Sequence, residues 1–396
     1  MKTISLAKGG FNKVRSHQFE LKSSDLQDSL RSLTPGEWCS IKSENSYWIG
    51  FVNPLVDEKF PSVQILKSIA PNLLSCFSVE AFITEMIEKA INRRKQFKHY
   101  LEGCRLFYGF SDGLPGLIVD SFQDAAIIQI NTAGLDRHRK HIHQTFEAIL
   151  GRKCYLLDNP KYREREHLPT YEMQAIPEVK ILENELSYTI RSEVMQKVGF
   201  YYDHRENRKQ LVDLLLRLNR SFDKGLDLFC YAGAWGMNAL KGGVKLLDFV
   251  DQGDFATEIN KSLDLNDFKS RGSFYRSDVF KFLDQVIQEE RTYDVVLCDP
   301  PAFAKSSLQK AQALDGYSKL HRKVLKILSP GALVVFSSCT HYVSHEEFQK
   351  NILDASHKEG KKLQLIHSGI QGWDHPVSSL SDKANYIKSY FYILET

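Results

Sequence analysis

The pattern of hydrophobic and polar positions changes near residue 180 of this 396-residue chain. Before that point, short apolar runs are separated by proline and glycine, and three of them predict small β-strands: TPGEWCSIK, SYWIGFVNP and PSVQILK. A helical period follows in SVEAFITEMIEKAINRRKQFKHYLE, where Phe82, Ile87 and Ile91 recur on one face. The run CRLFYGFSDGLPGLIVDSFQDAAIIQIN then predicts a hairpin-like region, because Asp-Gly and Pro-Gly pairs separate its β-rich stretches.

After residue 180 strands alternate with helices, which is typical of a parallel sheet. The predicted strands end in the runs GLDLFCYAG, LLDFVDQG, FYRSD, DVVLCDPP and ALVVFSSC. Helices are predicted at WGMNALKGG and from about Phe255 to Leu265, and the runs LQLIHSGI and YIKSYFYILE predict two final strands. The pattern therefore predicts an α/β domain over residues 180–396, with a doubly wound, mostly parallel sheet.

Four of these strand ends finish in a polar or flexible residue. Ligands of doubly wound sheets bind outside the carboxyl ends of the strands, so the four ends are expected to meet around one ligand. The first end is Asp227, followed by a loop with a small-residue turn that lets the backbone approach a ligand: Phe229, Cys230, Tyr231, Ala232 and Gly233. Asp251 is suited to a ribose diol and Asp278 to the exocyclic amine of adenine.

The fourth strand end is the Asp299-Pro300-Pro301 loop, which two prolines hold rigid beside the ligand, where a target base could be presented. Any one of these aspartates alone is more often a helix cap or turn residue, but four in order at strand ends favour a cofactor site. A nicotinamide enzyme would instead prefer G-x-G-x-x-G after the first strand, and this chain has Tyr231, Gly233 and Gly236 there.

The runs DLFCYAG, VDQ, SDVF and DPPAF resemble the motif series of class I methyltransferases. The chain is more closely similar to the bacterial large-subunit rRNA cytosine-C5 methyltransferase family of the RlmI type, through SDGLPGLIVD, GFYYDHRENR and DHPV. This resemblance covers nearly the whole chain and implies S-adenosylmethionine as cofactor. It also implies three parts: a degenerate PUA-like β-barrel over 1–75, a β-rich middle domain over 76–179 and the methyltransferase domain over 180–396.

The resemblance also assigns further cofactor contacts. They are Gln252 after Asp251, Val279 after Asp278, Pro300 beside Asp299, and Tyr201, Asp203 and Arg205 in the GFYYDHR segment. The family usually has glutamine at the position of His204, and a His-Pro-Trp stretch where this chain has His17, Gln18 and Phe19.

Cys339 is the predicted nucleophile. It ends the ALVVFSSC strand, precedes polar Thr340, and matches the Ser-Cys-Ser motif of the family, whose thiolate adds to carbon 6 of cytosine. The alternative is a buried cysteine without a catalytic role. Cys298 precedes Asp299 within an apolar strand, so its side chain is expected to face the core. Ala302 stands where two-cysteine relatives carry a second cysteine, so the base that removes the carbon-5 proton is unidentified.

Composition adds few constraints. The net charge of +3, with 42% hydrophobic and 26% charged residues, is ordinary for a cytoplasmic protein, and no apolar run has the length of a membrane span. Seven cysteines without a CxxC pair predict neither a disulfide framework nor a metal site. Three basic runs, within 89–105, 137–143 and 161–165, are either solvated faces or contacts to RNA phosphates.

Three functions are compatible with these observations. The first is an rRNA cytosine-C5 methyltransferase in which Cys339 is the nucleophile and Asp299 binds the base. The second is a guanine or small-molecule methyltransferase that uses the same cofactor site, because guanine-modifying relatives share the Asp-Pro-Pro-x-Phe loop. The third is a non-catalytic RNA-binding protein that kept the fold. The expected partner is RNA, in particular large-subunit rRNA, for every one of these functions except a small-molecule methyltransferase, and the sequence leaves a homodimer open.

Overall fold

The computed structural model describes residues 1–171, 175–195, 199–304, 306–379, 382 and 384–395. The chain divides into two compact units. The N-terminal unit is Met1–Ile176, and the C-terminal unit comprises Pro177–Met195 and the chain from Phe200 onward. In the part of the chain that is described, no helix combines the length and the apolar character that crossing a membrane requires.

The N-terminal unit begins with a five-stranded sheet of order β1-β3-β4-β5-β2, in which the β1–β3 pair is parallel and the other pairs are antiparallel. Its strands are β1 (Lys2–Ser5), β2 (Glu20–Leu21), β3 (Glu37–Ser43), β4 (Ser46–Val52) and β5 (Val63–Ile69). Three of them coincide with the predicted runs, and the sheet fits a PUA-like β domain.

The sequence pattern did not predict the first helix, α1 (Lys8–Arg15). Gly9 and Gly10 disfavour helix formation, so the local sequence gave no helical signal. Gly10 is required by tertiary contact instead, because a Cβ there would overlap the carbonyl oxygen of Asp25.

The second sheet of this unit has the order β6-β7-β8-β9, antiparallel except for the β8–β9 pair. Its elements are α2 (Val79–Lys95), β6 (Cys104–Tyr108), β7 (Leu117–Ser121), β8 (Ala126–Ile130), α3 (Ala133–Asp136), α4 (Arg139–Leu150), β9 (Cys154–Leu156) and α5 (Pro160–Arg165). The hairpin-like region is confirmed, and the predicted helix ends at Lys95 rather than near residue 102. The division between a domain over 1–75 and one over 76–179 stays a prediction.

Several arginines of the basic runs are buried inside this unit, and for these the sequence prediction is corrected, because they form neither a solvated face nor a contact to RNA. Arg94 is fully buried and donates to the Asp112 carboxylate over 2.7 Å and to the Arg105 carbonyl oxygen over 3.0 Å. Arg105 itself forms a two-point pair with Asp120. Their guanidinium groups are therefore out of reach of RNA phosphates.

The same holds for part of the other two runs. Arg163 is buried and forms a two-point pair with Asp136, and Arg139 forms one with Asp158. The sequence could not show this, because the carboxylates that hold these guanidinium groups lie up to 27 residues away in the chain. Lys95 is exposed, so a phosphate contact at that position stays a prediction.

The C-terminal unit contains a seven-stranded sheet of order β14-β13-β12-β15-β16-β18-β17, in which β18 is antiparallel to both of its neighbours and the other pairs are parallel. Its strands are β12 (Lys224–Leu228), β13 (Leu246–Asp251), β14 (Gly272–Arg276), β15 (Tyr293–Cys298), β16 (Leu328–Ser338), β17 (Leu363–Gly369) and β18 (Lys388–Leu394). The hairpin β10 (Val179–Glu183) and β11 (Leu186–Ile190) precedes them.

The helices of this unit follow the strands in alternation: α6 (Arg205–Arg217), α7 (Ala234–Lys241), α8 (Ala256–Leu265), α9 (Val279–Gln288), α10 (Lys310–Lys326) and α11 (His345–Lys358). The predicted doubly wound α/β fold is confirmed. The strand order reverses at β12, because the chain continues from β12 to β13 on one side and from β15 to β16 on the other. In such sheets a ligand crevice is expected at the carboxyl ends of the two central strands, β12 and β15.

Replacing Arg94 tests its structural role. Arg94→Gln would leave the buried Asp112 carboxylate without one of its partners, so we expect the free energy of unfolding in urea to fall by about 3 kcal/mol. The exposed neighbour provides the control, because Lys95→Gln should change it by less than about 0.5 kcal/mol. Equal stability of the two variants would contradict the buried ion pair.

Candidate functional site

The carboxyl ends of four adjacent parallel strands, β13, β12, β15 and β16, lie at one edge of the sheet. Asp251 ends β13, Asp227 is the penultimate residue of β12, Asp299 follows β15 and Cys339 follows β16. The topology therefore brings the predicted acidic residues of these strands and the predicted nucleophile to the same edge.

The loop after β12 has an unusual backbone. Phe229 and Tyr231 adopt positive φ angles of 59° and 47°, and Gly233 has a φ of 76°. The Gly233 N–H donates to the Cys230 carbonyl over 2.7 Å, and the Cys230 N–H donates to the Val250 carbonyl over 3.1 Å. Non-glycine residues rarely adopt this region, and such conformations concentrate at ligand sites. The loop thus has the tight, closely folded backbone that the sequence predicted.

Asp227 links the end of β12 to the helix that follows this loop. Its Oδ2 atom accepts a 2.8 Å hydrogen bond from the Gly236 N–H in the first turn of α7, a position where backbone N–H groups have no helical partner. Oδ1 is buried and has no hydrogen-bond partner among the described residues. Burial raises the pKa of the Asp227 carboxyl well above its usual range, and the nearby charge of Asp299 adds to this effect.

Asp251 links two loops with its carboxylate. Oδ2 accepts from the Tyr231 N–H over 3.1 Å, and Oδ1 accepts from the Gly253 N–H over 2.9 Å. Each carboxylate oxygen has a second lone pair, so Asp251 can also accept hydrogen bonds from the hydroxyls of a ribose. Gln252, between these loops, is exposed.

Asp278 and Val279 have structural roles that the sequence could not distinguish from ligand contact. Asp278 caps α9, because its Oδ1 accepts a 3.0 Å hydrogen bond from the Lys281 N–H. Val279 is buried in the main hydrophobic core of the unit. Contact of either residue with the cofactor stays a prediction.

The proline loop that begins at Asp299 lies against Cys339. The Cys339 thiol lies 4.0 Å from the Pro300 carbonyl oxygen, measured from Sγ, and Cys339 is partly exposed. The Asp299 carboxylate is fixed by Trp235, whose Nε1–H donates to Oδ2 over 3.1 Å. The loop that carries Asp299 and the Cys339 thiol therefore border the same place at the strand ends.

His204 contacts the same carboxylate and was not predicted as a site residue. Its Nε2 lies 3.4 Å from Asp299 Oδ2, and its Nδ1 lies 3.2 Å from the Asn207 amide nitrogen, which also donates to the Ile370 carbonyl. In the neutral ring this arrangement leaves the proton on Nε2, facing Asp299. Burial, the largest single effect, lowers the pKa of His204, but the nearby carboxylates of Asp299 and Asp203 together outweigh burial and raise it above its usual value.

The three residues assigned from the GFYYDHR segment have different surroundings. The Tyr201 ring lies edge-on to Tyr231 with centroids 5.3 Å apart, so Tyr201 borders the loop after β12. Asp203 accepts a 2.6 Å hydrogen bond from the Tyr386 hydroxyl, and Arg205 donates to the Asp374 carboxylate over 3.0 Å. Asp203 and Arg205 therefore anchor the segments that precede β18, and their contact with a cofactor stays a prediction.

The other two cysteines near the edge are buried. Cys298 is part of the main hydrophobic core, which confirms that its side chain faces away from the site, and burial raises the pKa of its thiol well above the usual range. Burial does the same for Cys230, whose backbone N–H and carbonyl shape the loop after β12. Neither thiol has the exposure that a nucleophile needs.

The family model for S-adenosylmethionine-dependent methyltransferases matches residues 128–365. The chain is 30% identical over 299 residues to ribosomal RNA large subunit methyltransferase I of Serratia proteamaculans, covering 73% of this chain and 74% of the relative. It is 31% identical over 297 residues to the protein of the same name from Aeromonas salmonicida, with 73% and 74% covered.

A solved structure of an S-adenosylmethionine-dependent methyltransferase from Streptococcus mutans has the same fold. It aligns with a TM-score of 0.77 and 19% sequence identity, covering 99% of this chain and 100% of that chain. At this identity the likeness supports the fold alone, and the sequence relatives support the family.

Asp251→Ala should weaken binding of the methyl donor by about 1–3 kcal/mol, because a charge-assisted hydrogen bond to the ribose is lost. Calorimetric titration with S-adenosylmethionine measures this. Asp254→Ala removes an exposed carboxylate three residues away and should leave the affinity unchanged. Unchanged affinity in a folded Asp251→Ala protein would remove Asp251 from the cofactor site.

Proposed function

The chain belongs to the S-adenosylmethionine-dependent methyltransferase family, and from this premise we propose that it methylates carbon 5 of a cytosine in large-subunit ribosomal RNA. The names of its sequence relatives support rRNA as the substrate. The observation that carries the choice of atom is the partly exposed thiol of Cys339 beside the Asp299 loop.

Carbon 5 of cytosine is a poor nucleophile, so a thiol is needed to activate it. In the proposed reaction, the Cys339 sulfur bonds to carbon 6, and the electrons of the 5,6 double bond make carbon 5 nucleophilic while ring nitrogen 3 gains a proton. S-adenosylmethionine supplies a methyl group bonded to a positively charged sulfur. After transfer, carbon 5 loses its proton to a base, and the carbon–sulfur bond breaks with its electron pair returning to the Cys339 sulfur. Ring nitrogen 3 then gives back the proton that it gained.

Asp299 is the residue that would hold the cytosine edge during this sequence. Trp235 fixes one carboxyl oxygen, and His204 faces the same oxygen, so the orientation of the carboxyl group is set before a base arrives. A carboxyl group in this position can accept from the exocyclic amine or share a proton with ring nitrogen 3.

The residues around the loop after β12 fit the nucleoside part of the methyl donor. Asp251 would bind the ribose hydroxyls, and the backbone of residues 229–233 would lie against the cofactor. Tyr201 would cover it from the segment before α6, since its ring already borders Tyr231. Asp227 would act indirectly by fixing the start of α7.

Cys339→Ala should abolish methyl transfer while leaving S-adenosylmethionine affinity unchanged, because the thiol is needed only for the adduct. Incorporation of labelled methyl groups into rRNA lacking the modification measures the first quantity, and calorimetry the second. RNA with 5-fluorocytidine at the target should trap a covalent adduct on Cys339, since fluorine prevents the final proton loss.

Cys298→Ala is the matched control, because this thiol is buried in the core and the substitution should affect only stability. Full activity of Cys339→Ala on cytosine, or an adduct that maps to Cys298 or Cys230, would refute the assignment. Methylation of a guanine instead would favour the guanine methyltransferase, because guanine nitrogens need no thiol adduct. Absence of any methyl transfer by a folded, cofactor-binding wild type would favour the non-catalytic reading.

A groove in the N-terminal unit offers a surface for the RNA. It has a volume of about 300 Å³, and its lining includes Arg15, His17, Phe19, Trp48 and Lys67. Cationic side chains interleaved with aromatic rings are the combination that single-stranded RNA binds, through phosphate contacts and base stacking. This groove is a stronger candidate for RNA contact than the buried arginines of the basic runs.

Neutralising Arg15 and Lys67 tests this surface. Each lost phosphate contact should reduce the slope of log affinity against log salt by about 0.7–0.9, so the double variant Arg15→Gln, Lys67→Gln should lose about 1.5. Filter binding of an rRNA fragment at several salt concentrations measures the slope. Lys59→Gln is the control, because Lys59 is exposed and pairs with Asp57. An unchanged slope in the double variant would exclude the groove.

A further inference from the structure

Lys388 is a buried lysine beside the predicted nucleophile. It is the first residue of β18 and lies opposite Ser338 of β16, one residue before Cys339. Only 3% of Lys388 is exposed. Its ammonium donates to the carbonyl oxygen of Thr340 over 2.8 Å and to that of Tyr386 over 3.1 Å. The positive charge is therefore held against the backbone of the residue that follows Cys339.

The position of this ammonium is fixed by the strands around it. Ser337 and Ser389 share a 2.9 Å hydrogen bond between β16 and β18, and the Ser338 hydroxyl lies 2.9 Å from the Tyr317 hydroxyl on α10. These buried contacts keep the two strands in register at the level of Lys388. The lysine cannot move its charge into solvent without breaking both of its own hydrogen bonds.

A buried ammonium is costly unless an opposite charge compensates it. Among the residues that the structure describes, no carboxylate lies within 4.0 Å of the Lys388 ammonium. Burial lowers the pKa of Lys388 to about 8, and the charge of a Cys339 thiolate acts in the opposite direction. Below pH 8 the ammonium is therefore largely protonated, and a thiolate at Cys339 is the anion that would stabilise it.

We propose that the buried ammonium of Lys388 stabilises the thiolate of Cys339, so that the nucleophile is ionised at neutral pH. The proton of the thiol leaves to water, and Lys388 keeps its own. Lys388 is then a positioning residue that acts through Cys339. That this interaction activates a nucleophile rests on the proposed function. The interaction between the Lys388 ammonium and the Cys339 thiolate does not depend on it.

Two tyrosines among the described residues interact with the thiol and do not supply this charge. Tyr201 and Tyr317 interact electrostatically with Cys339, and burial raises the pKa of both hydroxyls, so they stay neutral. Asp299 is on the loop opposite and would disfavour a second anion, but Trp235 and His204 already face its carboxylate. On the α11 side of Lys388, burial lowers the pKa of His345, and the charge of Lys388 lowers it further, so this ring is neutral near pH 7.

Alkylation of the folded full-length protein by iodoacetamide, at a series of pH values and without RNA, tests the pairing. The thiolate is the reacting form, so the rate follows thiol ionisation. Peptide mass spectrometry would measure the rate at Cys339, with the exposed thiol of Cys76 as an internal reference in every sample. The variants are Lys388→Met and Lys388→Gln, and the control is Lys362→Met, which removes a lysine with an 80% exposed side chain.

Both Lys388 variants should raise the pH midpoint of Cys339 alkylation by about one unit, which is about tenfold lower reactivity at pH values well below the midpoint, with the same limiting rate at high pH. Glutamine can still donate to the two carbonyls, so a role limited to holding the backbone would be rescued in Lys388→Gln. Rescue of the midpoint by glutamine would therefore overturn the proposal, as would an unchanged midpoint in folded Lys388→Met. Lys362→Met should match the wild type.

The alkylation and methylation experiments can fail independently of each other. If Cys339→Ala methylates RNA normally while the Lys388 variants shift the alkylation midpoint, the cytosine mechanism fails and the ion pair stands. If Cys339→Ala is inactive and the midpoint does not move in the Lys388 variants, the nucleophile stands and the proposed ion pair is wrong.

Discussion

Parallel pairing of the four neighbouring strands β13, β12, β15 and β16 is the constraint on which the candidate site depends. Parallel strands present their carboxyl ends at one edge, and the strand order reverses at β12, which is where a ligand crevice is expected in such a sheet. Residues more than 100 positions apart, such as Asp227 and Cys339, meet at this edge for that reason. The positive φ angles after β12 make the loop at this edge tight.

Buried charges organise the rest of the molecule, and they are matched in different ways. In the N-terminal unit Arg94 and Arg163 are paired with carboxylates, so they stabilise the fold and do not contact a partner. In the C-terminal unit Arg208 forms a two-point pair with Glu183 and donates to the Tyr201 carbonyl, which supports the segment that carries His204. Lys388 differs, because its hydrogen-bond partners are backbone carbonyls and it interacts electrostatically with Cys339. That difference distinguishes a charge that serves the fold from one that can serve chemistry.

Aspartates at equivalent strand ends of the site have two kinds of role: some stabilise the fold, and others remain available to a ligand. Each predicted aspartate stands at or near the end of a strand. Of these, Asp227 accepts a hydrogen bond from the start of α7, and Asp278 caps α9. Asp251 joins two loops and keeps lone pairs for a ligand, whereas Asp299 is oriented by an indole and an imidazole. The hydrogen-bond partners distinguish these roles, because they decide which carboxylate oxygen atoms remain available to a ligand.

The sequence by itself determined the fold class, the order of the strands along the chain, and which residues end them. Hydrophobic periodicity and turn residues are local signals, and they were sufficient to predict the alternation after residue 180 and the inward-facing Cys298. The tertiary structure alone decided which charges are buried and what each polar group contacts. Arg94 in a basic run, His204 beside Asp299 and Lys388 beside Cys339 all depend on partners distant in sequence. Local pattern carries no information about such pairings, because they exist only once the chain has brought the two segments together.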